Sequence, residues 1–312
     1  MRTIRKAALV GVAVAAMALS ACSGEASQQK EAEDQLQEEV GAYSMTEATD
    51  LPEGLIADIK ERGKLVVGSK FDQPLIGQKD TATGKIEGFD AEIARLLTMR
   101  IFGEVVEEGA DANLEFIETT SENRETYVND GTVDVVIASY SMYPERLESF
   151  DFAGPYFHTG QNVMVAEDNT EITTVADLAG KDVCIAEGSG SIGNMEKENP
   201  EATITPLKDY AGCAEALENG TTDAVSTDST ILYGFVSGKP GTFKVLDDSN
   251  IFSDEPYGIG MKFGETDARM FMNEMIQEAF DNGDWDKAFA LSFGAAGMDQ
   301  PEYPTIDNYE AK

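Results

Sequence analysis

The run Ala138-Ser139-Tyr140-Ser141-Met142-Tyr143-Pro144-Glu145-Arg146 sets two hydroxyls and a guanidinium directly after the β-branched stretch that ends at Ile137. A strand end of this kind presents short donors and a planar fork at the rim of a parallel sheet, where such folds bind ligands. The chemistry it suits is carboxylate capture, each charge-assisted bond from the arginine being worth about 1.5 to 3 kcal/mol. Taken alone, the same run is equally a solvated loop. A second run, Glu187-Gly188-Ser189-Gly190-Ser191-Ile192-Gly193, carries three glycines in dinucleotide-fingerprint spacing between a strand and a helix. Amide N–H groups at a helix start bind any small anion, a pyrophosphate or an amino-acid carboxylate alike. Catalytic parts are missing: His158 is the only histidine, and no HExxH, CxxC or nucleophile-elbow motif occurs. A His-based metal site lacks ligands, and a Ser-His-Asp triad has only His158 to build on and no nucleophile elbow beside it, so no metal, no cofactor and no enzyme activity are expected.

The elements that must position these residues alternate. Residues 51–62, 89–102 and 123–129 have helical periodicity, and residues 64–68, 114–117 and 133–137 read as strands. A second alternation follows, with strands at 162–166, 183–186, 203–207 and 224–227 and helices at 175–178, 192–199 and 212–219. Strands separated by helices imply parallel sheets with crossover connections, and the two alternations imply two α/β lobes. The second is too short for the double βαβ arrangement of a dinucleotide site. The tail from 267 to 293 carries Met270, Phe271, Met275, Ile276 and Phe280 at helical spacing, a stripe read as core.

Composition bounds the rest. The chain has 312 residues, 42% hydrophobic, enough for two modest domains. Its 58 acidic against 23 basic residues give a formal charge of -35, which repels nucleic acid and anionic headgroups. The same charge repels an acidic ligand unless basic residues cluster locally. A cationic start, an apolar run over 7–19 too short to span a bilayer, and Leu19-Ser20-Ala21-Cys22 read as a cleaved export signal, residues 1–21, and resemble the lipobox of bacterial lipoproteins. Cys22 would then carry lipids, the only attachment to the membrane. Residues 22–50, with eight acids after Cys22 and the single base Lys30, read as a flexible tether reaching roughly 25 to 30 Å. In an oxidising compartment the remaining Cys184 and Cys213 can form one bridge, or stay two buried thiols.

Four further runs make a resemblance specific: Val67-Gly68-Ser69-Lys70-Phe71-Asp72-Gln73-Pro74, Glu87-Gly88-Phe89-Asp90, Thr120-Ser121-Glu122-Asn123-Arg124 and Asp151-Phe152-Ala153-Gly154-Pro155-Tyr156-Phe157. With the Ser139–Arg146 run, in this order from about 51 to 293, they resemble the polar amino-acid solute-binding proteins of ABC importers, family 3, and among them the glutamate-binding lipoproteins and glutamate/aspartate-binding proteins. The resemblance implies a two-lobed, type II periplasmic-binding-protein-like α/β fold with mostly parallel sheets flanked by helices. Lobe 1 would take residues 51–157 plus 258–312 and lobe 2 residues 159–256, with the ligand in the cleft between them. It also implies a monomer anchored outside the cytoplasmic membrane that delivers an amino acid, glutamate or aspartate, to ABC permease subunits. Carried over by position, Arg146 with Ser139, Ser141 and Ser189 forms the α-carboxylate clamp, and Asp228 accepts the ammonium. Lys70, Ser121 and Arg124 line the side-chain pocket, and Tyr210 is a further polar contact. Relatives carry a hydroxyl near position 190, where this chain has Gly190; Ser191 or the Gly190 N–H would have to serve instead. Binding proteins for glutamine or another polar amino acid, and dehydratase-like enzymes on the same fold, are the alternatives.

Overall fold

The computed structural model describes residues 35–36, 38–103 and 112–307. The chain divides into two units, Met1–Glu39 and Val40–Lys312. The described residues of the first are helical; the signal segment, Cys22 and the start of the acidic tether lie outside the described residues. Among the described residues the strands all lie in the second unit. In chain order these are β1 (Leu65–Ser69), β2 (Asp72–Gln73), β3 (Gly77–Lys79), β4 (Ile86–Glu87), β5 (Leu114–Glu118), β6 (Val135–Val136), β7 (Phe150–Thr159), β8 (Gln161–Ala166), β9 (Asp182–Ala186), β10 (Thr203–Leu207), β11 (Ala224–Asp228), β12 (Phe243–Val245) and β13 (Glu255–Lys262).

They form two five-stranded sheets, β5-β1-β6-β13-β7 and β10-β9-β11-β8-β12, and a small antiparallel sheet, β2-β3-β4. In the first large sheet β5, β1 and β6 are parallel, as the helical crossovers require. In the second, β10, β9 and β11 are parallel for the same reason. What the alternation does not announce is the antiparallel half of each sheet. β13 runs against both β6 and β7, and β8 runs against both β11 and β12. β7 and β13 are buried almost throughout, so they show no polar alternation, and Gly154-Pro155 interrupts the first as a turn would.

β7 and β13 carry the chain between the lobes. At their ends Gln161 N donates to Ser253 Oγ at 3.0 Å, which sets the two crossings side by side. Gly160 is there because a Cβ would lie 2.3 Å from Ile251 Cγ2 and 2.6 Å from the Ser253 carbonyl oxygen.

The helix Phe89–Phe102 shows how sequence becomes position. Phe89, Ile93, Leu96, Leu97 and Ile101 share its buried face, and Gly88 before it turns at φ 113° against the Ile76 backbone. Around Phe89 gather Phe157, Trp285 and Phe293, with ring centroids 5.2 to 5.4 Å away, and Trp285 Nε1 donates to the Tyr156 carbonyl at 2.8 Å. In the tail helix Thr266–Asn282, Phe271, Met275, Ile276 and Phe280 are core as expected, whereas Met270 is 42% exposed.

One sequence expectation changes here and one, the disulfide, holds. The tether does not stay free to residue 50: Met45 and Ala48 are buried, Ser44 N donates to Asp284 Oδ1 at 2.7 Å, and Ala48 N donates to the Arg100 carbonyl at 2.9 Å. The acid-rich average hid Tyr43, Met45 and Ala48, enough apolar area to dock eight residues onto lobe 1. Cys184 and Cys213 are bridged, tying the helix Tyr210–Glu218 to β9 across 29 residues of chain. Loop-closure entropy puts such a link at about 3 to 4 kcal/mol of stability.

Candidate functional site

Lobe 1 supplies one wall of the cleft from the loop after β6. The carboxylate of Asp90, at the start of the helix Phe89–Phe102, accepts Ser139 N at 2.6 Å and Tyr156 Oη at 2.7 Å. Burial pushes that carboxyl up to about 6. Ser139, at φ 44°, lies in the left-handed region that non-glycine residues seldom enter, so Asp90 holds a strained backbone in place. The strain turns the chain so that Ser139, Ser141, Tyr143 and Arg146 all face the cleft. Arg146 Nη1 donates to the Ser141 carbonyl at 2.7 Å, and its guanidinium lies 4.6 Å from the ring centres of both Tyr140 and Tyr143. Arg124 sits 3.8 Å from the Tyr140 ring, buried, with Nη1 donating to Ala138 O at 3.3 Å. Burial first and then repulsion from Arg146 pull it down to about 10, still cationic at neutral pH.

Lobe 2 supplies the facing wall. The helix Ser191–Glu198 opens at Gly190, and its first N–H groups lack partners within the helix. Ser189 Oγ accepts Ser191 N at 3.0 Å and lies 2.9 Å from Tyr210 Oη. Glycine at 190 has a steric cause: a Cβ there would fall 2.2 Å from the Tyr143 ring of lobe 1. A side chain at 190, such as the hydroxyl that the resemblance implies, would require that ring to move aside. Asp228 closes β11 and accepts Tyr257 Oη at 2.6 Å. Burial, then the neighbouring Glu255 charge, raises it to about 8.

Ser121, Arg124, Ser139, Ser141, Arg146, Ser189, Gly190, Tyr210 and Asp228 thus line one cavity. Lys70 does not reach it directly. It is buried behind the wall, its Nζ donating to Ser121 Oγ at 3.0 Å, and burial and then Arg124 pull it down to about 7. Sequence reasoning missed Glu255, also on the cavity, whose carboxylate accepts from Ser141 Oγ, from Tyr143 Oη at 2.6 Å, from Asn194 Nδ2 at 2.8 Å and from Ser253 Oγ at 2.7 Å. An acid beside Pro256 and Tyr257 in an apolar strand was the available signal. Glu255 also revises Ser141: a hydroxyl has one proton, and Glu255 takes it. Ser141 therefore offers lone pairs to the cleft and suits an ammonium, not the carboxylate expected of it. Ser139 is likewise spent, donating to Gln73 Oε1 at 3.0 Å.

The lobes meet across the cleft. Asp72 Oδ2 accepts the N–H groups of Tyr210 and Ala211 at 3.0 and 3.3 Å, and Asn194 Nδ2 reaches Tyr143 Oη at 3.1 Å. Among the described residues no cluster of His, Cys, Asp and Glu is arranged to hold a metal, and no helix is long and apolar enough to cross a membrane. The site is a small polar chamber lined by guanidinium and amide donors and by carboxylates, complementary to a zwitterion.

Residues 65–295 match the family described as bacterial extracellular solute-binding proteins, family 3. The chain is 37% identical to a glutamine-binding protein of Geobacillus stearothermophilus, over 78% of this chain and 86% of that one. It is 33% identical to the glutamate-binding protein GluB of Corynebacterium efficiens, over 78% and 82%. Among solved structures, the solute receptor for L-cysteine of Neisseria gonorrhoeae superposes with a TM-score of 0.70 at 28% identity, covering 77% of this chain and 94% of that one.

Proposed function

The chain belongs to the bacterial extracellular solute-binding proteins of family 3, and we propose that within it this protein captures glutamate. It is an amino-acid-binding component of an ABC importer, and closure of its two lobes presents the loaded form to the membrane permease. The α-carboxylate is taken by Arg146 with the N–H groups that open the helix Ser191–Glu198. The α-ammonium, which has donors only, goes to Asp228 and the lone pairs of Ser141.

One observation carries the choice of an acidic side chain. Lys70 and Arg124 are buried cations adjoining at Ser121, and among the described residues neither has a carboxylate within 4.0 Å. Arg124 Nε has no hydrogen-bond partner. Unpaired buried cations are costly, and a second ligand carboxylate removes the cost where a neutral amide does not. Glutamine is the second reading, because a lysine at about 7 is in part a neutral amine at the pH of most surroundings and then asks for no anion. The relative named as glutamine-binding points the same way.

Calorimetry on protein stripped of co-purifying ligand separates the two. Wild type is expected to prefer glutamate over glutamine, Arg124→Ala to lower that preference by about 10- to 100-fold, the worth of one charge-assisted bond, and Lys70→Ala to lower it less, since Lys70 acts from behind Ser121. An unchanged ratio in both variants would sink the assignment of this pocket.

Export and anchoring through Cys22 complete the reading. Labelled palmitate fed to expressing cells is expected to enter the wild-type chain and to vanish in Cys22→Ala; label that persists in the variant removes the anchor.

A further inference from the structure

Asp228 comes from lobe 2 and Glu255 from the crossing between lobes, yet both line the same chamber. Glu255 is 1% and Asp228 4% exposed. Among the described residues no lysine or arginine nitrogen lies within ion-pair distance of either. The two guanidiniums that share the chamber make their direct contacts with other groups, Arg124 with Ala138 O and the Tyr140 ring, Arg146 with Ser141 O and the rings of Tyr140 and Tyr143. Closing the cleft therefore takes two carboxylates out of water with no direct ion pair, and the charges of Arg124 and Arg146 offset the cost only in part.

We propose that Asp228 and Glu255 form an electrostatic gate that keeps the ligand-free lobes apart until an ammonium-bearing ligand, or a proton, neutralises the pair. With such a gate, closure demands a ligand that carries an ammonium and not merely one that fits. A futile docking of unloaded protein on the permease is avoided by the same means. Opening exposes Asp228 to water, so its proton affinity falls back to the ordinary carboxylate range, while closure raises it.

The groups facing Asp228 are known from every side. Glu255 adds to the burial that disfavours its charge; Arg124 and Arg146 act against it; Tyr257, which donates to it, and Tyr143 and Tyr210 are neutral phenols in this range. The sign follows. A group whose affinity for protons is higher closed than open favours closure as pH falls, over the window from about 8 in the closed form to the ordinary 3.8 in the open one. Within that window the closed-to-open ratio changes about tenfold per pH unit.

The test uses ligand-free full-length protein with one spin label on each lobe, read by electron resonance and paramagnetic relaxation from pH 8 to pH 5. Wild type is expected to gain closed population on the order of a hundredfold between pH 7.5 and pH 5. Asp228→Asn is expected to lose that dependence and to close at pH 7.5 as wild type does at pH 5. Glu255→Gln is expected to keep a slope, since burial is the larger cause, but with its upper limit moved to lower pH. A pH-independent wild type, a wild-type slope surviving in Asp228→Asn, or an unmoved limit in Glu255→Gln would each overturn the gate. The proposal rests on the cleft being an amino-acid site, yet no amino acid enters this assay. Failure of the gate leaves the binding reading standing, and failure of every amino acid to bind leaves the gate to be judged on its own slope.

Discussion

Replacing Arg146 with alanine is expected to weaken amino-acid capture by about 30- to 5,000-fold while leaving the protein folded. The range follows from truncating one partner of a buried charge pair, roughly 2 to 5 kcal/mol, most of which is the penalty of a ligand carboxylate left without its counter-ion. Position, not charge alone, is what Arg146 supplies. Its guanidinium is oriented by stacking 4.6 Å from the Tyr140 and Tyr143 rings and by donating to Ser141 O, so the free edge of the planar fork is aimed before any ligand arrives. Arg146→Lys keeps the charge and loses both the fork and the stacking, and an intermediate loss of about 10- to 100-fold is expected. Titration calorimetry measures the affinities, and a thermal melt checks that the ligand-free variants unfold within a few degrees of wild type. Binding by Arg146→Ala within threefold of wild type would move the α-carboxylate elsewhere in the cleft.

Arg146 was legible because its run sits directly after a β-branched strand, and local signals of that kind served well elsewhere. The helix over 89–102 was readable from periodicity and from Gly88, and the alternating elements gave two α/β lobes. Long-range facts were not readable. β7 and β13 are buried on both faces, so their apolar runs carry no period and no sign that they pair with one another across a hundred residues. Glu255 lay hidden for the same reason: beside the local Ser253, its donors Ser141 and Asn194 come from distant stretches of chain, and only folding gathers them. Lys70 illustrates a subtler limit. Its place after the first strand put it near the ligand, but strand geometry cannot say whether a four-carbon stem ends in the chamber or behind it. Here it ends on Ser121 Oγ. The missing hydroxyl at 190 was visible as a departure, while its cause, the Tyr143 ring of the opposite lobe, was not.

That same cross-lobe crowding gives a mutation that should separate closure from stability. Gly234 lies inside the helix Ser229–Gly238 of lobe 2, and a Cβ at this position would stand 2.2 Å from the Pro74 carbonyl oxygen of lobe 1. The obstacle is backbone, held by the β2-β3-β4 sheet, so it cannot swing aside as the Tyr143 ring beside Gly190 can. At Gly188 a substitution would also strain a backbone at φ 72°, and its effect would be ambiguous. Gly234 carries no such confusion. In the open form the helix interior faces no neighbour from lobe 1, and alanine is the better helix former by about 0.8 to 1 kcal/mol. Gly234→Ala is therefore expected to hold or raise the melting temperature of the ligand-free protein. With ligand the lobes would stop short of contact by about an ångström, so the Asp72 contact with Tyr210 and Ala211 N–H and the pairing of Asn194 with Tyr143 would fail together. Affinity should fall by roughly 100-fold or more, as several desolvated hydrogen bonds of about 1 kcal/mol each are lost along with the exclusion of water. Small-angle scattering would show the ligand-induced compaction of wild type and little or none in the variant. The opposite signs are the point: stability held or gained with binding lost has no explanation in local damage to lobe 2. A Gly234→Ala protein that closes and binds like wild type would mean that the approach of Pro74 to this helix is not part of the closed state.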